Sequence, residues 1–115
     1  MGEYNFEIGR GVRFYKEITY KDNDGKIIDL TGYNCNLQIR KTYDGEIFLE
    51  MSTEIGNITI RGAEGKIILE LSAQETKLLD FEKGIYDLKI YLDEDNVNTL
   101  LYGKVNCILD VTKWQ

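Results

Sequence analysis

Apolar and polar residues alternate along most of this chain. In Cys35-Asn36-Leu37-Gln38-Ile39-Arg40 the odd positions are apolar and the even ones polar. A period of two places one set of side chains on a dry face and the other on a wet face, which is a half-buried strand. Tyr86-Asp87-Leu88-Lys89-Ile90 repeats the pattern on even positions, and Gly103 to Val111 repeats it on odd ones. Asn57–Arg61 and Lys66–Leu71 are shorter versions, and further strands are expected near 12–20 and 46–51. A weaker strand is expected over 26–30, with a kink or bulge at Asp29-Leu30-Thr31-Gly32.

Turn pairs divide these runs. Asp24-Gly25, Asp44-Gly45, Glu64-Gly65 and Lys83-Gly84 recur at intervals that suit strand–turn–strand units. One stretch departs from the period. Ser72-Ala73-Gln74-Glu75 has the form of a capping box, in which Ser72 accepts from the Glu75 backbone N–H and the Glu75 side chain reaches back. It predicts one short helix near residues 73–79. About seven short strands with alternating faces predict an all-β, antiparallel sandwich forming a single domain over 1–115. The first ten residues, set off by Gly9 and Gly11, read either as an N-terminal arm that docks on a neighbour or as a plain first strand. Removal of residues 1–8 separates the two, since only the arm is dispensable for folding.

Composition removes most catalytic designs. The chain has 115 residues and no histidine, so Ser-His and Cys-His nucleophile pairs are absent and so is the commonest metal ligand. Two cysteines are too few for a Cys-rich zinc site. The net charge is -6 and the basic residues are scattered, against the clustered basic face that nucleic acid requires. The N-terminus lacks the basic and apolar segments of a signal peptide, and no apolar run is long enough to span a membrane. Asp22-Asn23-Asp24-Gly25 resembles a calcium loop only superficially. With Gly25 at the sixth position, positions one and twelve fall on Tyr20 and Thr31, neither of them a carboxylate, so a hairpin turn is expected. Asp93-Glu94-Asp95-Asn96 is read the same way. No catalytic residue, metal or cofactor is therefore assigned.

Cys35 and Cys107 both fall on predicted inward faces. They read as two small buried hydrophobes in a reducing compartment, with a bridge across the sandwich as the alternative. Tyr43, Tyr91, Tyr102 and Trp114 are the aromatics expected on wet faces or edges, where they are candidate partner contacts.

Leu79 to Leu88 resembles the turn before strand F of immunoglobulin-like domains, where an acidic residue, a glycine and a tyrosine precede an inward residue. In that reading Gly84 takes the tight turn, Tyr86 buries its ring and returns its hydroxyl to a nearby backbone group, and Leu88 occupies the core position. The alternative is that Tyr86 is simply a core aromatic at a strand start.

The order of Asp-Leu-Thr-Gly (29–32), Ser-Ala-x-x-Thr (72–76), Gly-x-Tyr-Asp-Leu (84–88) and Val-Thr (111–112) resembles the small immunoglobulin-like domain of tailed-phage virion proteins. That domain is found at the N-terminus of baseplate upper proteins and in stand-alone tail or neck proteins. The resemblance covers about residues 10–113. It implies a non-enzymatic structural subunit of a tail, baseplate or head-to-tail neck, made in the host cytoplasm and built into the virion. The implied partners are other virion proteins and copies of itself, with no nucleic acid and no membrane. A carbohydrate- or receptor-binding sandwich is the competing expectation.

Overall fold

A computed structural model describes residues 2–109 of the chain. Nine strands and one α-helix run in the order β1 (Gly2–Glu3), β2 (Phe6–Gly9), β3 (Phe14–Thr19), β4 (Asn34–Arg40), β5 (Ile47–Ser52), β6 (Ile58–Arg61), β7 (Lys66–Leu71), α1 (Ala73–Lys77), β8 (Lys83–Tyr91) and β9 (Val97–Ile108), with a single 3-10 turn at Gly62–Glu64 between β6 and β7. The larger sheet has the order β1-β9-β8-β4-β5, with β2 also paired to β9, and the smaller has the order β3-β7-β6. All pairings are antiparallel except those of β1 and β2 with β9. The third, seventh and sixth strands facing the fifth, fourth, eighth and ninth is the strand arrangement of an immunoglobulin-like sandwich.

The core lies between the sheets. Leu37, Ile39, Leu88, Ile90 and Val105 face in from the larger sheet, and Ile58, Ile67, Leu69 and Leu71 from the smaller. Leu88 is fully buried between Leu37 of β4 and Leu101 of β9. Truncating such a leucine costs about 2–5 kcal/mol. α1 is capped as the sequence predicts: the Ser72 hydroxyl accepts from Glu75 N–H and the Glu75 carboxylate accepts from Ser72 N–H. The helix spans Ala73–Lys77 and closes at Leu78, within the expected 73–79. Thr76 explains why that turn packs so closely. Its buried hydroxyl donates to the Val12 carbonyl and accepts from Gly11 N–H, tying α1 to the β2–β3 connection.

Several expectations change. The N-terminal segment is a first strand and not a free arm. Over Gly2–Gly9 it pairs in parallel with β9, and Phe6 and Ile8 lie in the core. Residues 26–30 form no strand. An isolated bridge joins Lys21 to Ile27, after which Asp29 Oδ1 accepts both the N–H and the hydroxyl of Thr31, and Gly32 turns at φ 88. A side chain closing on its own backbone competes with a ladder, which is why the strand fails there. Lys83-Gly84 is not a turn but the start of β8. Gly84 is needed for space: a Cβ there would press on Ile39 at 2.8 Å and on the Arg40 carbonyl at 3.0 Å.

The hairpin reading of Asp22–Gly25 holds. Asp22 Oδ1 accepts the N–H groups of Asp24 and Lys26 at 2.9 Å each, so its carboxylate is occupied by the turn.

Cys35 and Cys107 are free and buried, as small hydrophobes. The bridging alternative is ruled out by register. Both lie in the larger sheet on opposite sides of β8, Cys35 beside Ile90 and Cys107 beside Glu82. Eight residues of strand separate them, about 26 Å, far beyond disulfide reach.

Candidate functional site

Tyr86 lies inward on β8, 5% exposed, with its ring 4.7 Å from that of Phe6. Its hydroxyl donates to a backbone carbonyl at 2.6 Å. The acceptor belongs to Tyr4, on the N-terminal segment, and not to the turn before β8. The corner geometry is therefore replaced by a long-range clasp. Burial holds the Tyr86 hydroxyl well above the usual phenol range, so it stays a donor. Tyr4, Phe6 and Phe14 complete an edge-to-face cluster, and the Lys16 ammonium meets it at the Tyr4 hydroxyl, 2.5 Å from that oxygen and 4.5 Å from the ring centre. Cys35 is likewise unreactive: burial pushes its thiol up to about 12. These groups are structural.

The exposed chemistry lies on the outer face of the larger sheet. Alternation turns Asn36, Gln38 and Arg40 of β4 and Ile85, Asp87 and Lys89 of β8 to that face, with Tyr102 and Lys104 of β9 beside them. Gln38, Asp87 and Tyr102 stand in one cross-strand row, and Arg40, Ile85 and Lys104 in the next. A polar chain orders the first row. Gln38 Nε2 donates to Glu50 Oε2 at 2.7 Å, and Arg40 Nη2 donates to Gln38 Oε1 at 2.8 Å.

Arg40 also fixes the loop that follows it. Its Nη1 donates to the Gly45 carbonyl at 2.9 Å. The loop turns at Asp44 with φ 60, a left-handed conformation that Asp tolerates. Gly45 has no room for a side chain, since a Cβ would meet the Thr42 backbone N at 2.9 Å. Tyr43 stands on this loop, 86% exposed. Tyr43 and Tyr102, the latter 41% exposed, line one shallow concavity of about 530 Å³, whose floor includes Gln38, Ile85 and Asp87.

The structure thus brings two of the four expected contact aromatics together. Tyr91 is half-buried further along β8 and lines a separate concavity with Asn36, Lys89 and Asp93. Trp114 lies outside the described residues. Arg40, Gln38 and Ile85 were not singled out in the sequence, although the wet positions of an alternating strand are where such a face could have been sought. Among the described residues, no group of three or more Asp, Glu or Cys is placed to hold a metal.

No family model matches this chain. No curated protein matches it either. Among solved structures it is similar to the extracellular domain of the voltage-gated sodium channel beta4 subunit, described as a parallel homodimer with a role in cell–cell adhesion. The identity is 14%, the TM-score is 0.47, and the alignment covers 95% of this chain and 93% of that one. The immunoglobulin-like assignment stands on the strand order itself.

Proposed function

We propose that this protein is a non-enzymatic binding module that works through protein–protein contacts, and that its role is that of an assembly subunit. The observation that carries the reading is Tyr43, 86% exposed on a loop anchored by the Arg40–Gly45 hydrogen bond and beside the exposed Tyr102. A tyrosine has only two side-chain torsions to fix, so burying its large ring against a partner costs little ordering for the area gained, which is how aromatic anchors contribute to interfaces. A virion location, in a tail, baseplate or neck, is the specific form of this reading, and the order of sequence motifs supports it.

The test introduces Tyr43→Ala/Tyr102→Ala into the genome that encodes the chain, which this reading expects to be a phage's, and examines the particles it produces. The folded variant is expected in the lysate but missing from purified virions by mass spectrometry. Normal incorporation of the variant, or absence of the wild-type chain from virions, sinks the virion reading.

A second reading rests on the same concavity. Tyr43 and Tyr102 flank Gln38, Asp87 and Arg40, a pairing of ring faces with hydrogen-bonding groups that also suits a sugar. Binding of the isolated protein on a glycan array, lost in the same variant, favours a carbohydrate-binding module.

A further inference from the structure

The outer edge of β3 is chemically self-complementary. Among the described residues β3 is the terminal strand of the smaller sheet and pairs only with β7. Tyr20 N–H bonds the Gly65 carbonyl across that pair at 2.8 Å. By the alternation of an antiparallel ladder, the even residues of β3 turn their main-chain groups towards β7. Tyr15, Glu17 and Thr19 turn theirs outward, along an edge that no strand covers among the described residues.

The other edges are occupied or short. On β5 the Asn57 side chain acts as a substitute strand: its Oδ1 accepts from Ser52 N–H at 2.8 Å and its Nδ2 donates to the Glu50 carbonyl at 3.4 Å. β1 has two residues and β6 has four. Edges left open usually carry inward lysines or bulges that prevent pairing. β3 has Lys16, whose ammonium is already engaged within its own chain by the Tyr4 hydroxyl and ring.

We propose that two copies of this chain pair antiparallel along β3, about a two-fold axis at Tyr15. Two copies sharing an in-plane edge keep their faces matched only when paired residue numbers sum to an even value. A sum of 34 sets Glu17 against the partner's Glu17, and a sum of 32 sets Lys16 against the partner's Lys16. Like charges directly opposite oppose pairing. A sum of 30 sets Tyr15 against the partner's Tyr15 and Arg13 against the partner's Glu17. Within each copy Arg13 already pairs with Glu70, and Glu17 with Lys66 at 3.0 Å. The dimer would therefore join these pairs into an alternating row, Glu70, Arg13, the partner's Glu17 and the partner's Lys66, twice by symmetry. The main-chain bonds supply the attraction and the charges select the register. This surface is separate from the tyrosine face, so the two readings stand or fall independently.

Cysteine scanning of the full chain tests the register. Directly opposed Cα atoms in such a pair lie about 5.5 Å apart, within disulfide range. Tyr15→Cys is expected to form an oxidised dimer rapidly. Thr19→Cys, about 27 Å from its counterpart in this register, is expected to form no disulfide-linked dimer. Sedimentation of the reduced proteins gives the second measurement. Glu17→Arg should raise the dimer Kd about ten-fold, and adding Arg13→Glu should restore it. The proposal is overturned if the wild-type chain stays monomeric at millimolar concentration, if both cysteine variants cross-link equally, or if Glu17→Arg leaves the Kd unchanged.

Discussion

The two sheets manage their borders differently. The larger sheet is sealed on both sides, by the chain's own start along β9 and by a single amide, Asn57, along β5. The smaller sheet leaves β3 bare among the described residues and covers its outer face with exposed ion pairs, Arg13–Glu70 and Lys66–Glu17. The first arrangement stabilises a monomer. The second contributes little within one molecule, because exposed pairs are worth about 0–1 kcal/mol, but it sets what another molecule can place beside it. The difference separates where folding energy resides from where specificity resides.

The largest effect should come from removing the seal. Deleting residues 1–9 takes Phe6 and Ile8 out of the core and leaves Tyr86 without its acceptor. Two such core losses exceed about 5 kcal/mol, comparable with the whole stability of a domain. The truncated chain should show no cooperative unfolding transition by circular dichroism. An unchanged melting curve would mean that the larger sheet is not closed by its N-terminus.

Tyr86→Phe is a gentler probe of the same seal. It keeps the ring and removes the donor, so the Tyr4 carbonyl loses its partner. A loss of about 1–3 kcal/mol is expected in urea titration, and Tyr4–Phe6 amides should exchange faster. Asn57→Ala acts on the opposite border. It frees Ser52 N–H and the Glu50 carbonyl, which should cost about 1 kcal/mol and make the larger sheet associate through β5. Higher-order species in light scattering would show it; an unchanged mass distribution would assign the edge protection to something other than Asn57.

The smallest effect concerns pH. The hydrogen bond and charge of Lys66 hold the Glu17 carboxyl below its ordinary value, and Glu17 in turn raises Lys66. A depressed acid stabilises the fold above its unfolded pKa and loses that contribution as pH falls through the folded one. The raised lysine contributes below its unfolded value and loses this as pH rises through the folded one. The pair therefore acts between the carboxylate and lysine ranges. An NMR titration of Lys66→Met should return the Glu17 midpoint towards that of a free glutamate.

Much of the framework was legible because it is local. The alternation of Cys35–Arg40 gave β4 nearly residue for residue, and the Ser72–Glu75 box gave α1 its start. What escaped depends on partners far away in sequence. Tyr86 finds its acceptor 82 residues upstream. Gly84 reads as a turn residue until Ile39 and Arg40 are placed against it. The first half of β9 was hidden by a register shift at Leu88/Lys89, which puts Leu100 and Leu101 side by side and breaks the period of two. The tyrosine face was half visible: Tyr43 and Tyr102 stood out as rings, but Arg40 could not be linked to the Gly45 carbonyl before the loop had a shape.

Gly103 lets the Tyr4-Asn5 link pass directly against β9, where any side chain would run into the Tyr4 carbonyl. The opening strands therefore lie alongside the closing one and point the same way. Tension applied between the N-terminal end of β1 and the C-terminal end of β9 would slide these strands past each other, loading their hydrogen bonds together instead of one at a time. A domain tethered by those two points would yield in shear, the more resistant of the two geometries, whatever it is tethered to.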